Sequence, residues 1–485
     1  MAENNQNHTP EEEFQSFRNS IGTAEKSGKR KWVYAKKPEG KYYKWRSIVS
    51  YFLLAFLIIT PFIKINGNPL FKFDIISREF YIFSYPFFTS DFKIFAIGMI
   101  TSIVFIILFT VVYGRIFCGW ICPQTIFLEM VFRKIEYAID GDRNKQMKLA
   151  KQEWNEEKIR KRLLKWSIYA VLSFIIANIM FAWIIGIDEL QKLITEGPIQ
   201  NLSTFIGLLI FTGLFYFVFT WFREQACVLV CPYGRLQGVL IDKKTIIVAY
   251  DYKRGERSKG RAKFKRGIDR QAEGIGDCID CGNCVAVCPT GIDIRNGTQL
   301  ECVNCTACID ACDEVMTKIN LPTGLIRYAS EENIAEKKPF KFTARMGAYT
   351  FVLVLLLSVL MALIFTRSEV SSKFLKEAGT DFKLVNDSIV TNRFEYNLQN
   401  KTKETKQLHL KLADYKGGNI ELINHAPTLI IEPGKEIQGK MIISIPKKDL
   451  KSYKAKITIN VLDQDDKLID SYRTSFSAPY KFQHN

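Results

Sequence analysis

All twelve cysteines of this chain fall into four short motifs, and their spacing is where chemistry is legible first. Residues 278–289 read CIDCGNCVAVCP and residues 302–313 read CVNCTACIDACD, each a Cys-x2-Cys-x2-Cys-x3-Cys run. In that spacing three thiolates hold one [4Fe–4S] cluster while the fourth reaches across to a second. The ligand sets that follow are Cys278, Cys281, Cys284 and Cys312 for one cluster, and Cys302, Cys305, Cys308 and Cys288 for the other. Zinc needs only four ligands in two pairs, and disulfides are disfavoured in a reducing compartment, so neither explains two complete runs. One departure stands out: Cys312 is followed by Asp313 where proline is usual. A different turn is expected there, with a carboxylate that shifts the nearby cluster to more negative potential.

The remaining four cysteines form two Cys-x-x-x-Cys-Pro pairs, Cys118 with Cys122 in RIFCGWICPQTIFLEM and Cys227 with Cys231 in REQACVLVCPYGRLQG. Four residues apart on a helix is one face, so each pair points one way. Proline favours the first position of a following helix, which places Cys122, and more weakly Cys231, at a helix start where amide hydrogens and the dipole lower a thiol's pKa. Arg115, Arg223 and Arg235 flank these motifs. The residues leave four readings open: a redox dithiol, a soft-metal site that favours Cu(I), a third iron–sulfur cluster, or inert buried cysteine.

The elements that must position these thiols include five apolar stretches long enough to cross a bilayer, at about 47–63, 93–113, 166–186, 202–222 and 346–366. The segment 123–139 after Cys122 reads as an amphipathic helix lying at the membrane surface, and the aromatic run at 80–88, which contains Pro86, as interfacial or re-entrant. Basic clusters before the first span and after the second, against a single lysine in IDELQKLITEGPIQN, put the amino terminus inside. Both Cys-Pro motifs and the cluster region are then cytoplasmic, and everything beyond about residue 367 lies outside. The polar amino-terminal stretch does not fit a cleaved signal.

The fold class is thus a multi-domain membrane protein: an α-helical transmembrane bundle of about five spans, a cytoplasmic dicluster ferredoxin-like domain and a C-terminal all-β immunoglobulin-like sandwich. The divisions are a basic tail (1–45), a membrane domain with four spans (46–245), the ferredoxin-like domain (246–340), a fifth span (341–367) and an outer domain (368–485). The outer domain shows period-two alternation in short segments separated by Gly, Pro, Asn and Asp, which reads as a sandwich of about seven strands without cysteine. The net charge of +17 and the basic run 253–270 point to anionic lipid headgroups and not to nucleic acid, because the run is juxtamembrane. The four histidines, His8, His409, His425 and His484, lie outside the spans, which excludes a membrane haem with two histidine ligands; His409 and His425 read as isolated surface residues. No Gly-rich dinucleotide fingerprint in a strand-turn-helix context is present.

Together the blocks GRIFCGWICPQT, REQACVLVCPYGR, GDCIDCGNCVAVCPTGIDIRNGTQLECVNCTACIDACDEVM and GLIRYASEEN closely resemble the cytochrome c oxidase accessory proteins called CcoG or FixG, from about residue 30 to the carboxyl end. The resemblance implies assembly of a cbb3-type haem–copper oxidase with reduction of Cu(II) to Cu(I). Carried onto this chain, cupric reduction falls on Cys118, Cys122, Cys227 and Cys231, with copper as a candidate ligand, and electron relay falls on the eight cluster cysteines. The implied cofactors are two [4Fe–4S] clusters, and the implied partners are oxidase subunits or copper chaperones and transporters. Rival readings are a membrane electron-transfer protein resembling NapH and NosR, linked to the quinone pool, and a non-catalytic assembly scaffold.

Overall fold

The computed structural model describes residues 30–65, 67–74, 79–87, 91–337, 344–379, 381–385, 388–402, 404–450 and 452–479, so His8 and His484 lie outside the described residues. The chain divides into two compact units, one of Met1–Ile59, Met99–Phe181 and Leu190–Leu357, the other of Thr60–Gly98, Ala182–Glu189 and Ser358–Asn485.

Among the described residues six helical stretches are long and apolar enough to cross a membrane: Lys41–Phe62, Phe92–Tyr113, Ile116–Ile139, Glu156–Ile185, Leu202–Phe222 and Met346–Phe365. Five overlap the expected spans. The additional one, Ile116–Ile139, qualifies by length and composition and contains the segment read from sequence as an amphipathic helix at the membrane surface. Its charges are buried in pairs. Arg133 donates to Glu129 at 2.6 Å, and Glu136 receives Arg223 at 2.9 and 3.2 Å and Lys165 at 3.2 Å. Buried charges persist only when paired in this way. Between them Phe127, Leu128 and Phe132 pack with Tyr169, Ile176 and Phe219, and the rings of Phe132 and Phe219 stack at 4.7 Å.

The helices that position the cysteines are α1 (Lys41–Ile59), α2 (Phe92–Tyr113), α3 (Ile116–Trp120), α4 (Pro123–Ile126, continued to Ile139), α5 (Glu156–Ile185), α6 (Leu202–Phe217), α7 (Pro232–Leu240), α8 (Ala307–Lys318) and α9 (Ala344–Phe365). In the cluster region Ile247–Tyr250 pairs antiparallel with Ile326–Ala329, Ile247 opposite Ala329. Val248, Tyr250, Ile292, Ile294, Ile309, Met316, Leu325 and Ile326 form one core around the cysteine loops.

In the second unit, residues 370–477 form two antiparallel sheets. One runs in the order Asn419–Ile423, Glu436–Pro446, Ile389–Asn400, Val370–Lys376, with Lys383–Val385 also on Ile389–Asn400; the other runs Leu429–Ile431, Lys406–Leu412, Lys454–Asp463, Leu468–Ser477. Val390, Phe394, Tyr396 and Leu398 alternate inward along one strand, as a sheet with one buried face requires. Among the described residues this unit has nine such strands against about seven expected; Lys383–Val385, at three residues, is too short for alternation to register. The aromatic run is a hairpin, with Phe71–Asp74, Glu79–Ile82 and Tyr85–Phe87 in one antiparallel sheet. Its two-residue turn, Phe83 and Ser84, has φ of 50° and 62° at the two positions, the hairpin geometry ordinarily supplied by Asn-Gly.

Candidate metal centres

The two cysteine runs fold as near-copies of each other. Asp280 (φ 54°) and Gly282 (φ 69°) bracket Cys281; Asn304 (φ 52°) and Thr306 (φ 65°) bracket Cys305. Left-handed residues on both sides of the middle cysteine curl each loop so that its thiols converge. Gly282 and Thr306 then start the helices Asn283–Ala286 and α8. One cavity is lined by Cys278, Cys281, Cys284 and Cys312, the other by Cys288, Cys302, Cys305 and Cys308, with Cys284 at its edge. The structure therefore brings together the two sets that the spacing predicts. Burial pushes Cys284, Cys302 and Cys312 up to about 12 and Cys308 well above its ordinary value. The residues fit two clusters. At Cys312 the expected change of turn is absent: α8 continues through Asp313, whose Oδ1 accepts from Gly324 N–H at 2.7 Å.

The basic run contributes braces as well as surface charge. Arg270 is buried and donates to the carbonyl oxygens of Gly276 at 2.9 Å and Cys278 at 3.1 Å, while Arg254 (2.6 Å) and Arg257 (3.2 Å) pair with Asp277.

The two Cys-Pro pairs, a hundred positions apart in sequence, converge in a third tetrad. Cys122 caps α4 and Cys231 caps α7, each with proline at the first helical position; Cys231 Sγ accepts from Gly234 N–H at 3.4 Å. Cys118 Sγ lies 3.1 Å from Gln237 Oε1 on α7, and the rings of Phe117 and Tyr233 meet edge to face at 5.7 Å. Each of the four thiols lies within electrostatic reach of the other three. The helix starts are thus where they were expected, and burial pushes the Cys227 thiol up to about 12. Of the flanking arginines only Arg115 serves the site: its Nε donates to Gln237 at 3.3 Å and its Nη1 to Leu300 O. Arg223 turns into the buried ion-pair network and Arg235 is exposed.

The third tetrad abuts the second cluster cavity. Cys118 packs in one apolar group with Val287, Val303, Cys305 and Ala307. A methyl group added at Gly119 would stand 2.5 Å from the carbonyl oxygen of Val303 and 2.8 Å from that of Asn304. Arg115 is within electrostatic reach of Cys118, Cys227 and Cys302. Arg46 of α1, buried, donates to Gly119 O at 2.7 Å and reaches Cys305. Sequence reasoning missed Arg46, Gln237, Asn304 and Asp310. Asn304 Oδ1 accepts from Val248 N–H at 3.2 Å, and the Asp310 carboxylate accepts from Tyr42 N–H (3.1 Å) and Tyr43 N–H (2.8 Å) at the start of α1.

Apolar helices of spanning length joined to paired four-cysteine cavities and an immunoglobulin-like sandwich define a membrane iron–sulfur protein of the polyferredoxin class. Three family models match: a 4Fe–4S dicluster domain over residues 222–331, a 4Fe–4S binding domain over 95–143, and an "IG-like fold at C-terminal of FixG" over 360–479. Protein RdxA of Cereibacter sphaeroides is 34% identical, the match covering 74% of this chain and 77% of RdxA. Nitrogen fixation protein FixG of Rhizobium meliloti is 28% identical over 93% of each chain. The chain belongs to the FixG and RdxA family of membrane iron–sulfur proteins. Among solved structures, a FixG-related protein from Vibrio parahaemolyticus matches 23% of this chain and 97% of its own, at 16% identity and a TM-score of 0.20.

Proposed function

We propose that this protein delivers electrons one at a time through its cysteine sites to Cu(II), releasing Cu(I) for assembly of a cbb3-type haem–copper oxidase. Cys278, Cys281, Cys284 and Cys312 would hold one cluster, and Cys288, Cys302, Cys305 and Cys308 the other. When bound, these clusters supply one-electron transfer. The observation that carries the reading is the direct packing of Cys118 and Gly119 against the loop of Val303, Asn304 and Cys305, which gives electrons a short route from the second cavity to the Cys-Pro tetrad. Cys118, Cys122, Cys227 and Cys231 are the point of departure in this scheme. Each turnover takes one electron from the protein and converts one Cu(II) to Cu(I), with no bond made or broken. Buried Arg115 and Arg46 offset the negative charge that accumulates on this route. The cluster region faces the cytoplasm and the sandwich faces the outside, where it docks oxidase subunits or copper carriers; the basic run meets anionic lipid.

The test is anaerobic Cu(II) titration of purified protein, reduced with dithionite and freed of excess reductant, following cluster absorbance and chelated Cu(I) together. Cluster oxidation matched by Cu(I) in the wild type, and lost in a variant lacking the four Cys-Pro cysteines, supports the reading. Cluster oxidation only by quinone or another carrier, with copper inert, replaces it with the polyferredoxin reading. Oxidase assembly unaffected by loss of the clusters replaces it with a scaffold.

A further inference from the structure

We infer that the Tyr250 hydroxyl donates a hydrogen bond to the Cys278 sulfur when that thiolate holds the first cluster, and so keeps this cluster easier to reduce than its charged surroundings would leave it. The inference rests on the reading of Cys278, Cys281, Cys284 and Cys312 as a [4Fe–4S] set, and it is independent of copper as the acceptor.

Tyr250 ends the strand Ile247–Tyr250, and it lines the first cavity together with those four cysteines. The residue is 5% exposed, and its buried hydroxyl finds no oxygen or nitrogen partner in the protein. A buried donor without an acceptor is costly, so its acceptor is to be sought in what the cavity holds. Among the ionisable groups around it, the Cys278 thiol acts on it most strongly. Gly255 explains the fit. Its carbonyl accepts from Cys278 N–H at 3.2 Å, and a methyl group at Gly255 would collide with the Tyr250 hydroxyl. The phenol and Cys278 therefore meet over the same glycine.

The neighbouring strand supplies a comparison within the molecule. Tyr328 pairs with Val248 across the ladder and stands within electrostatic reach of Cys302 and Cys305 of the second set. Its hydroxyl accepts from Trp120 Nε1 at 3.2 Å and donates to Asn304 O at 3.4 Å, so its proton is already committed. The Tyr250 proton has no such commitment.

Hydrogen bonds to cluster sulfurs favour the reduced, more negative form. Charge around the two sets works in the opposite sense. The Asp313 carboxylate acts on Cys312 of the first set, and Arg295, which reaches Cys284, is already paired with Asp280 and Asp293. Arg115 and Arg46, by contrast, reach Cys302 and Cys305 of the second set. The first set is thus the harder to reduce, and Cys281, the one exposed cysteine of the twelve, makes it the side at which electrons enter. Tyr250 lets a weaker one-electron donor load this entry point while the step to the second set stays downhill.

The experiment is an EPR-monitored redox titration of the full chain, purified anaerobically in detergent, with iron and acid-labile sulfide counted in every sample. Wild type is compared with Tyr250→Phe, Tyr328→Phe and Gly255→Ala, and the first-cluster signal is assigned as the one altered by Cys281→Ser. Tyr250→Phe is expected to load the same iron. At a fixed applied potential its first cluster alone should show a reduced-to-oxidised ratio about tenfold lower, equivalent to about 59 mV for a one-electron couple. Tyr328→Phe is expected to leave the first cluster unshifted. Gly255→Ala keeps the hydroxyl but forces it aside, so it should lower the first cluster too, and it decides the matter where Tyr250→Phe fails to load iron. A first-cluster potential unchanged or raised in Tyr250→Phe overturns the inference, as does an equal fall at both clusters. Loss of first-set iron in both variants overturns it as well, because the phenol would then be building the site and not tuning it. Wild-type protein without iron at the first set overturns the cysteine reading itself, which the iron count shows before any potential is measured.

Discussion

Replacing Gly119 by alanine tests the contact on which the electron route depends. The new methyl carbon would meet the carbonyl oxygen of Val303 at 2.5 Å and that of Asn304 at 2.8 Å. A comfortable carbon–oxygen contact is about 3.3 Å, so the loop carrying Cys302 and Cys305 must retreat by about 0.8 Å. Both neighbours are backbone, so no side chain can swing aside. Overpacking of this kind costs roughly 1–3 kcal/mol, and alanine in a helix returns about 1 kcal/mol relative to glycine. The net expectation is destabilisation of about 0–2 kcal/mol, with a changed EPR signal from the second cluster and slower oxidation of the reduced protein by Cu(II). Gly213→Ala is the control: nothing lies within 4 Å of its added methyl, so melting should stay level or rise slightly. Thermal unfolding in detergent, EPR and stopped-flow absorbance read the three quantities. Wild-type melting and spectra for Gly119→Ala would refute the close packing of α3 on the cluster loop, and with it the proposed route.

Other perturbations probe separate parts. Asp91 holds Arg367 at 2.5 Å and also Lys401, all three largely buried; Asp91→Ala strands two cations and should cost about 3–5 kcal/mol in the unit that contains them, read as early unfolding by limited proteolysis, and unchanged proteolysis would contradict the pairing. Asp310→Ala removes the acceptor for Tyr42 and Tyr43 N–H at the start of α1, where Gly40 offers no side chain. A loss of about 1–2 kcal/mol is expected by thermal melting, with asparagine recovering part of it, and equal loss for both variants would point away from capping. Thr306 sits at φ 65°, where a β-branched residue is strained by roughly 1–2 kcal/mol. Thr306→Gly should therefore melt higher with both dicluster signals intact; a lower melting point would show that the threonine side chain contributes more than the strain costs.

How much of this was legible in sequence depends on how far apart the cooperating residues lie. The dicluster sets could be read because their spacing is local and its loops are built twice, with Asp280 and Asn304 as the left-handed counterparts. The alternation of Val390, Phe394, Tyr396 and Leu398 made the sandwich legible in the same way. The union of Cys118 and Cys122 with Cys227 and Cys231 could not be read, because it is made by packing of α3 on α7 and leaves no periodic trace. The available signal was glycine: Gly119 and Gly234 stand within three residues of a motif cysteine, and glycine beside a functional residue marks close approach of backbone.

Charge misled for a related reason. Arg46 counted in the sequence as one more basic residue before a span, yet it is 2% exposed and donates to Gly119 O. Glu129, Arg133 and Glu136 lie on the segment read as a surface helix, and Glu136 is matched by Lys165 of α5 and by Arg223, just beyond α6. A charge is read from sequence as solvent-facing unless its partner is near in the chain; here the partners are 29 and 87 positions away. Arg46 from α1 and the Asp310 carboxylate from α8 each cross between a membrane helix and the cluster region. These links tie α1 to the helix and loop that hold the second cysteine set, and they belong to the tertiary structure alone.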